Sequence, residues 1–161
     1  ATDSCSRKRP SRWLYVSSFG MIGIGLPYAL GAKVALPDKQ VVLVVGDGSF
    51  GFHAMELDTA VRHNLDVTVV VGNNSTWGID WHIQKDLYGR PVWTDLLPTR
   101  YDAVATGLGA YAENVTRAAD LSSALKRALS AGKPSVVNVS IDPVKSPVAE
   151  AAVNRKLGSH G

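Results

Sequence analysis

Two kinds of apolar pattern alternate along the chain. Residues 40–45 and 66–71 are continuous, valine-rich runs without polar alternation, the pattern of strands buried on both faces of a parallel sheet, and residues 135–141 form a last apolar strand. Between them apolar positions recur at helical spacing. Residues 26–35 read as a helix, with Pro27 tolerated in the first turn and Pro37 blocking its continuation. Residues 50–63 read as one helix with Phe52, Met55, Leu57, Ala60 and Val61 on a broad apolar side. Residues 101–110 read as a helix, 114–116 as a short strand, and 118–131 as an amphipathic helix closed by Gly132 and Pro134. Residues 73–98 lack clear periodicity and carry Trp77, Trp81, Tyr88 and Trp93, so they are expected to be a long functional loop with a short helix inside. The stretch after Pro143 is small, polar and expected to be loose, and no internal repeat is visible.

Strand, glycine-rich turn, helix and second strand make a βαβ unit, whose crossover is right-handed and whose turn lies at the carboxyl edge of the sheet, where ligands bind. The expected class is therefore α/β, a parallel sheet with helices on both faces, in which residues 41–45, 67–71 and 136–139 are neighbouring or near-neighbouring strands. The expected organisation is an arm over residues 1–17, one domain over 18–143 and a tail over 144–161.

Composition narrows the class further. A chain of 161 residues, 45% apolar and 19% charged, is an ordinary globular protein with one substantial core. The net charge of +3 is densest at Arg7, Lys8, Arg9 and Arg12, a short cluster that reads as a solvated arm rather than a nucleic-acid surface. The single cysteine, Cys5, makes no internal disulfide, which fits a reducing compartment and points to the cytoplasm. Basic residues ahead of the apolar stretch 19–32 imitate a secretory signal. Gly20, Gly23, Gly25, Pro27 and Gly31 weaken its helical continuity, and it is too short to span a bilayer, so no membrane role is expected.

The turn Gly46-Asp47-Gly48-Ser49-Phe50-Gly51 satisfies the G-x-G-x-x-G spacing of a dinucleotide site. That site needs a carboxylate at the end of the second strand to hold a ribose. Asp66 stands at about the right separation, ~20 residues, but precedes the strand, which ends instead in Asn73 and Asn74. Asp47 would also repel a pyrophosphate unless a cation lay between them. Magnesium supplies that cation: it takes six oxygens and is commonly shared between a few protein groups and phosphates. Asp47, the amide oxygen of Asn74 and the carbonyl of Thr76 could converge on one ion, with diphosphate oxygens and a water completing the set. Gly46 and Gly48 allow close backbone approach, and the helix expected to begin near Ser49 directs amides at the anion. Asp47-Gly48 alone is also a common hairpin turn, Ile22 alone reads as plain core, and the tryptophans alone could cover apolar surface. His53, Glu56 and His63 read as exposed or core-edge residues. Neither a Ser-His-Asp order nor a metal-binding histidine pair supports a hydrolase.

Gly46-Asp47-Gly48 followed by Asn73-Asn74, with Gly20-Met21-Ile22-Gly23-Ile24-Gly25-Leu26-Pro27 upstream, resembles the diphosphate-binding motif of thiamine-diphosphate enzymes. The stretch from Ser18 to about Ile141 is similar to the C-terminal domain of the acetolactate-synthase-like and 2-oxo-acid decarboxylase group. The resemblance implies a thiamine-diphosphate-binding fold, with thiamine diphosphate and Mg2+ as cofactors. It implies that Ile22 supports the bent cofactor, that the Gly20 carbonyl accepts from its 4′-amino group, and that Trp77, Gly78 and Ile79 run beside the thiazolium. The activating glutamate of such enzymes lies in a separate pyrimidine-binding domain, usually on a partner subunit, and no catalytic residue is expected in this chain. By itself it is expected to be inactive, and to associate with such a domain or with further copies of itself around a small 2-oxo acid or related carbonyl substrate. The alternatives are a natural small subunit of a two-chain 2-oxo-acid decarboxylase, which Ala1 in place of Met disfavours, and the NAD-binding Rossmann domain of an oxidoreductase, which Asn73-Asn74 opposes.

Overall fold

In a computed structural model, which describes residues 13–15 and 20–158, the chain folds as the α/β class anticipated. In chain order the elements are α1 (Gly25–Ala35), β1 (Val41–Gly46), α2 (Asp47–His53), α3 (Glu56–Arg62), β2 (Val67–Asn73), α4 (Gly78–Tyr88), α5 (Tyr101–Gly107), β3 (Tyr111–Val115), α6 (Ala118–Leu129), β4 (Ser135–Ser140) and α7 (Pro147–Gly158). The strands form one parallel sheet in the order β1-β2-β4-β3, so the three valine-rich runs are successive neighbours. The basic cluster from Arg7 to Arg12 and Cys5 lie outside the described residues.

Strand register sorts the side chains into two layers, because alternate residues of a strand face opposite sides. Val67, Val69 and Val71 of β2 join Val136 of β4 in a core with Leu26 and Leu30 of α1, Phe50 of α2, Leu57 and Ala60 of α3, and Ala105 of α5. Val137, one residue on, faces the opposite side, where Val115, Ala124 and Ala128 close a smaller core under α6. Burial of these apolar surfaces is the main force holding the layers together.

Four expectations change. Residues 50–63 do not form one helix: α2 begins at Asp47 and ends at His53, and α3 starts at Glu56. At the junction the Leu57 and Asp58 amides bond the carbonyls three residues back, at Ala54 and Met55, and this tighter turn breaks the α-helical ladder. The rotation leaves Phe52 and Met55 exposed instead of on the buried side. The short strand is Tyr111–Val115 rather than 114–116. Within residues 73–98 the helix is α4, eleven residues long, stopped by Gly89 in the left-handed conformation (φ 76°). Finally, the expected loose tail contains α7, which packs on α4 and buries Ala149 and Val153.

A candidate cation site at the carboxyl edge of the sheet

Gly46 closes β1 in extended conformation (φ −78°, ψ 157°), pairs with Gly72 of β2, and leads directly into α2. The parallel pairing therefore brings Asp47 and the segment from Asn73 to Thr76 to the same edge of the sheet. Asp47 is buried at 3% exposure, and among the described residues its Oδ2 has no hydrogen-bond partner. Desolvation pushes its carboxyl above the usual carboxylate range, a shift that the backbone amides of Gly48, Ser75 and Thr76 partly oppose. Those amides place the Asp47 carboxylate against the very loop in which Asn74 and Thr76 lie.

That loop is held in a defined shape. Asn74 Oδ1 accepts from the Thr76 amide at 3.1 Å and from Thr76 Oγ1 at 3.0 Å, an Asx turn. Ser75 between them takes the left-handed conformation (φ 56°), unusual for a residue other than glycine. From the far side, residues 94–96 clamp the loop: the Trp77 amide donates to the Thr94 carbonyl at 2.8 Å and the Leu96 amide to the Ser75 carbonyl at 2.7 Å, around an antiparallel bridge between Thr76 and Asp95.

The glycines of the turn answer to neighbours. A Cβ on Gly48 would stand 2.9 Å from the indole of Trp77, which itself meets Phe52 edge-on at 5.7 Å. A Cβ on Gly78 would stand 3.0 Å from Asn74 Nδ2. Ser49 faces the upstream glycine segment, where its hydroxyl accepts the Gly23 amide at 3.0 Å; Gly23 has φ +94° and abuts His53. Through this bond the stretch carrying Gly20 and Ile22 is tied to the Asp47 turn. Ile22 is 49% exposed and Ile79 45% exposed, so neither is taken up by the core.

Two groups were not singled out from the sequence. Tyr101 packs edge-on against Phe50 at 5.2 Å, and burial first and the Asp47 charge second hold its hydroxyl above its ordinary value. A Cβ on Gly51 would meet the Tyr101 hydroxyl at 2.9 Å, a closeness that only the fold reveals. Asn138 of β4 is the other: 2% exposed, it accepts from Asn73 Nδ2 at 3.2 Å. An asparagine in the middle of a buried parallel strand demands partners, but the sequence does not say which.

Among the described residues no cluster of three or more His, Cys, Asp or Glu side chains could hold a metal by itself. One carboxylate, one amide and one carbonyl make a partial oxygen set, suited to a hard cation that completes its shell with ligand oxygens and water. No described helix is long and apolar enough to cross a membrane.

The chain as a whole is similar to known proteins. The chain matches the family described as thiamine pyrophosphate enzyme, C-terminal TPP binding domain, over residues 1–139. It is 51% identical over 135 residues to an acetolactate synthase large subunit of Mycobacterium tuberculosis, covering 83% of this chain and 25% of that protein. It is 41% identical over 138 residues to oxalyl-CoA decarboxylase of Escherichia coli, covering 84% of this chain and 24% of the relative. A thiamine diphosphate-dependent 4-hydroxybenzoylformate decarboxylase of Rhodococcus jostii RHA1 superposes with a TM-score of 0.72 at 32% identity, over 78% of this chain and 24% of that one. The chain thus spans about a quarter of the length of these relatives.

Proposed function

The chain belongs to the thiamine pyrophosphate enzymes, as their C-terminal binding domain, and from that premise we propose that it binds thiamine diphosphate through Mg2+ as the diphosphate-holding part of an acetolactate-synthase-like enzyme. The enzyme makes or breaks a carbon–carbon bond next to a carbonyl, by decarboxylation of a 2-oxo acid or by carboligation. The observation that carries the cation is Asp47: a buried carboxylate oxygen without a partner, at the meeting of two strand ends, is stabilised by a cation and destabilised without one.

In this reading Asp47, Asn74 Oδ1 and the Thr76 carbonyl are the protein's oxygens on the ion. Gly46, Gly48 and Ser49 shape the turn that receives the diphosphate, with Gly20, Ile22, Trp77, Gly78 and Ile79 along the rest of the cofactor. Bound thiamine diphosphate supplies a nucleophilic carbon and an electron sink, while the protein supplies position, charge compensation and exclusion of water. Ile22 and Ile79, both partly exposed, give apolar surface for covering an organic ring. No residue here is assigned to proton transfer; that half of the site is proposed to come from a pyrimidine-binding domain on another segment or chain. A cytoplasmic enzyme fits the single cysteine.

Calorimetric titration with thiamine diphosphate, in Mg2+ and in chelator, tests the reading. Binding is expected only with the divalent cation. Asp47→Ala is expected to remove most affinity together with the cation requirement, whereas Asp66→Ala, ahead of β2, leaves both nearly unchanged. Equal affinity in chelator, or tight NAD binding controlled by Asp66, would overturn it.

A further inference from the structure

Three asparagines lie side by side across the sheet, one on each of three adjacent strands. Asn73 ends β2, Asn138 lies in β4 and Asn114 in β3, with Asn114 and Asn138 in direct register. They form a chain of amides: Asn138 Nδ2 donates to Asn114 Oδ1 at 2.9 Å, and Asn73 Nδ2 donates to Asn138 Oδ1 at 3.2 Å and to the Thr99 carbonyl at 2.9 Å. Asn73 Oδ1 in turn accepts from the Ser75 amide at 3.2 Å and from Ser75 Oγ at 3.4 Å. The chain therefore ends on the strained residue between Asn74 and Thr76.

We propose that Asn138 is a positioning residue for the cation loop, acting through Asn73 on the left-handed turn at Ser75 and so on the direction of the Asn74 side chain and the Thr76 carbonyl. The inference rests on the cation reading above and deepens it. The physical reason is the geometry of a carboxamide. Asn73 can hold Ser75 only if its oxygen points at the loop, which turns its NH2 group into the protein. There Asn138 Oδ1, at 2% exposure, and the Thr99 carbonyl together fix that orientation, and Asn114 fixes Asn138 in the same way. Mg2+ demands nearly ideal octahedral angles, so a small rotation of one ligand weakens it disproportionately. Groups that orient metal ligands from outside the first coordination shell characteristically change affinity by about 10- to 100-fold.

The test uses the full chain. Mg2+ is titrated at saturating thiamine diphosphate, followed by calorimetry and by the intrinsic tryptophan fluorescence, and cofactor-free thermal unfolding is recorded separately. Asn138→Ser, whose hydroxyl does not reach Asn73, is expected to weaken Mg2+ by about tenfold. Asn138→Asp, which keeps an oxygen facing Asn73, is expected to recover most of that loss. A merely structural Asn138 would lower the melting temperature and leave Mg2+ affinity, measured well below it, unchanged; that result overturns the proposal. Should Asn138→Ser fail to fold, the exposed Asn114→Ala decides: a weakening in the same direction, smaller than the loss of about tenfold above, supports the relay, and wild-type affinity overturns it. If the unaltered chain binds thiamine diphosphate without regard to Mg2+, the cation reading itself falls and this inference with it.

Discussion

Desolvation and hydrogen bonding pull on the two buried aspartates with opposite results. In the cation-free chain burial raises Asp47, so its charged form is disfavoured by folding; stability from this group is lowest above its folded pKa and is gained as pH falls through it. Asp102 is held low, first by its hydrogen bonds to Arg100, so its contribution is present above the ordinary carboxylate pKa and lost as pH falls through the folded value. Asp47→Asn is therefore expected to raise the cation-free melting temperature at neutral pH by roughly 2–4 °C, about 1 kcal/mol, while abolishing the Mg2+ response; Asp102→Asn lowers it. Thermal melts from neutral pH down to about pH 2 check both signs, since the Asp102 contribution is lost only below the ordinary carboxylate range. Gly48 gives a second test at this scale. Gly48→Ala drives a methyl into the Trp77 indole and is expected to destabilise by about 1–3 kcal/mol, whereas in a Trp77→Leu background the same change is nearly neutral. Wild-type stability for Gly48→Ala would show that the ring moves aside freely. Asp47 and Asn74 were candidates from the sequence because ion chemistry favours those residue types at strand ends, and the strand pairing brings their segments to one edge; Asn138 and Tyr101 were not, because their roles depend on strands and helices distant in sequence.

Helix α7 shows how an element escapes a reading by periodicity. Only Ala149 and Val153, one turn apart, are buried in it, too few for an apolar stripe. Its start was nevertheless encoded: Ser146 Oγ accepts the Ala149 amide at 3.2 Å and Pro147 occupies the first helical position, a capping arrangement. A Lys145–Asp86 ion pair and the His82 contact to the Pro143 carbonyl dock the preceding turn on α4. Ser146→Ala is expected to cost about 1 kcal/mol and to speed amide exchange in α7 and α4, leaving the four strands protected. Uniform loss of protection across the sheet would mean that α7 is integral to the main core. The split of residues 50–63 has a similar origin, since the apolar spacing there fits a continuous helix and only the three-residue hydrogen bonds after Ala54 reveal the break.

At the scale of the whole molecule one side of the sheet edge is left open. Val42 and Val44 point away from the main core and are 49% and 55% exposed, on the same face as Val70. Together with the exposed Met21, Ile22 and Phe52 they leave apolar surface of the kind that marks contact with another chain or domain. The proposed association, with a pyrimidine-binding domain or with further copies, is expected to show as a concentration-dependent sedimentation coefficient that Val44→Lys reduces without altering the circular dichroism spectrum. A monomer at every concentration would count against self-association.

The amino-acid sequence by itself determined the α/β class and the parallel pairing of its valine-rich strands, because burial on two faces restricts residue type locally. The tertiary structure decided what depends on juxtaposition: that Asp47 meets the Ser75–Thr76 amides, that Trp77 rests on Gly48, and that Asn73, Asn138 and Asn114 share one chain of hydrogen bonds. Each joins residues brought together only by strand order and crossover, and periodicity along a single strand or helix carries no record of which neighbour lies beside it.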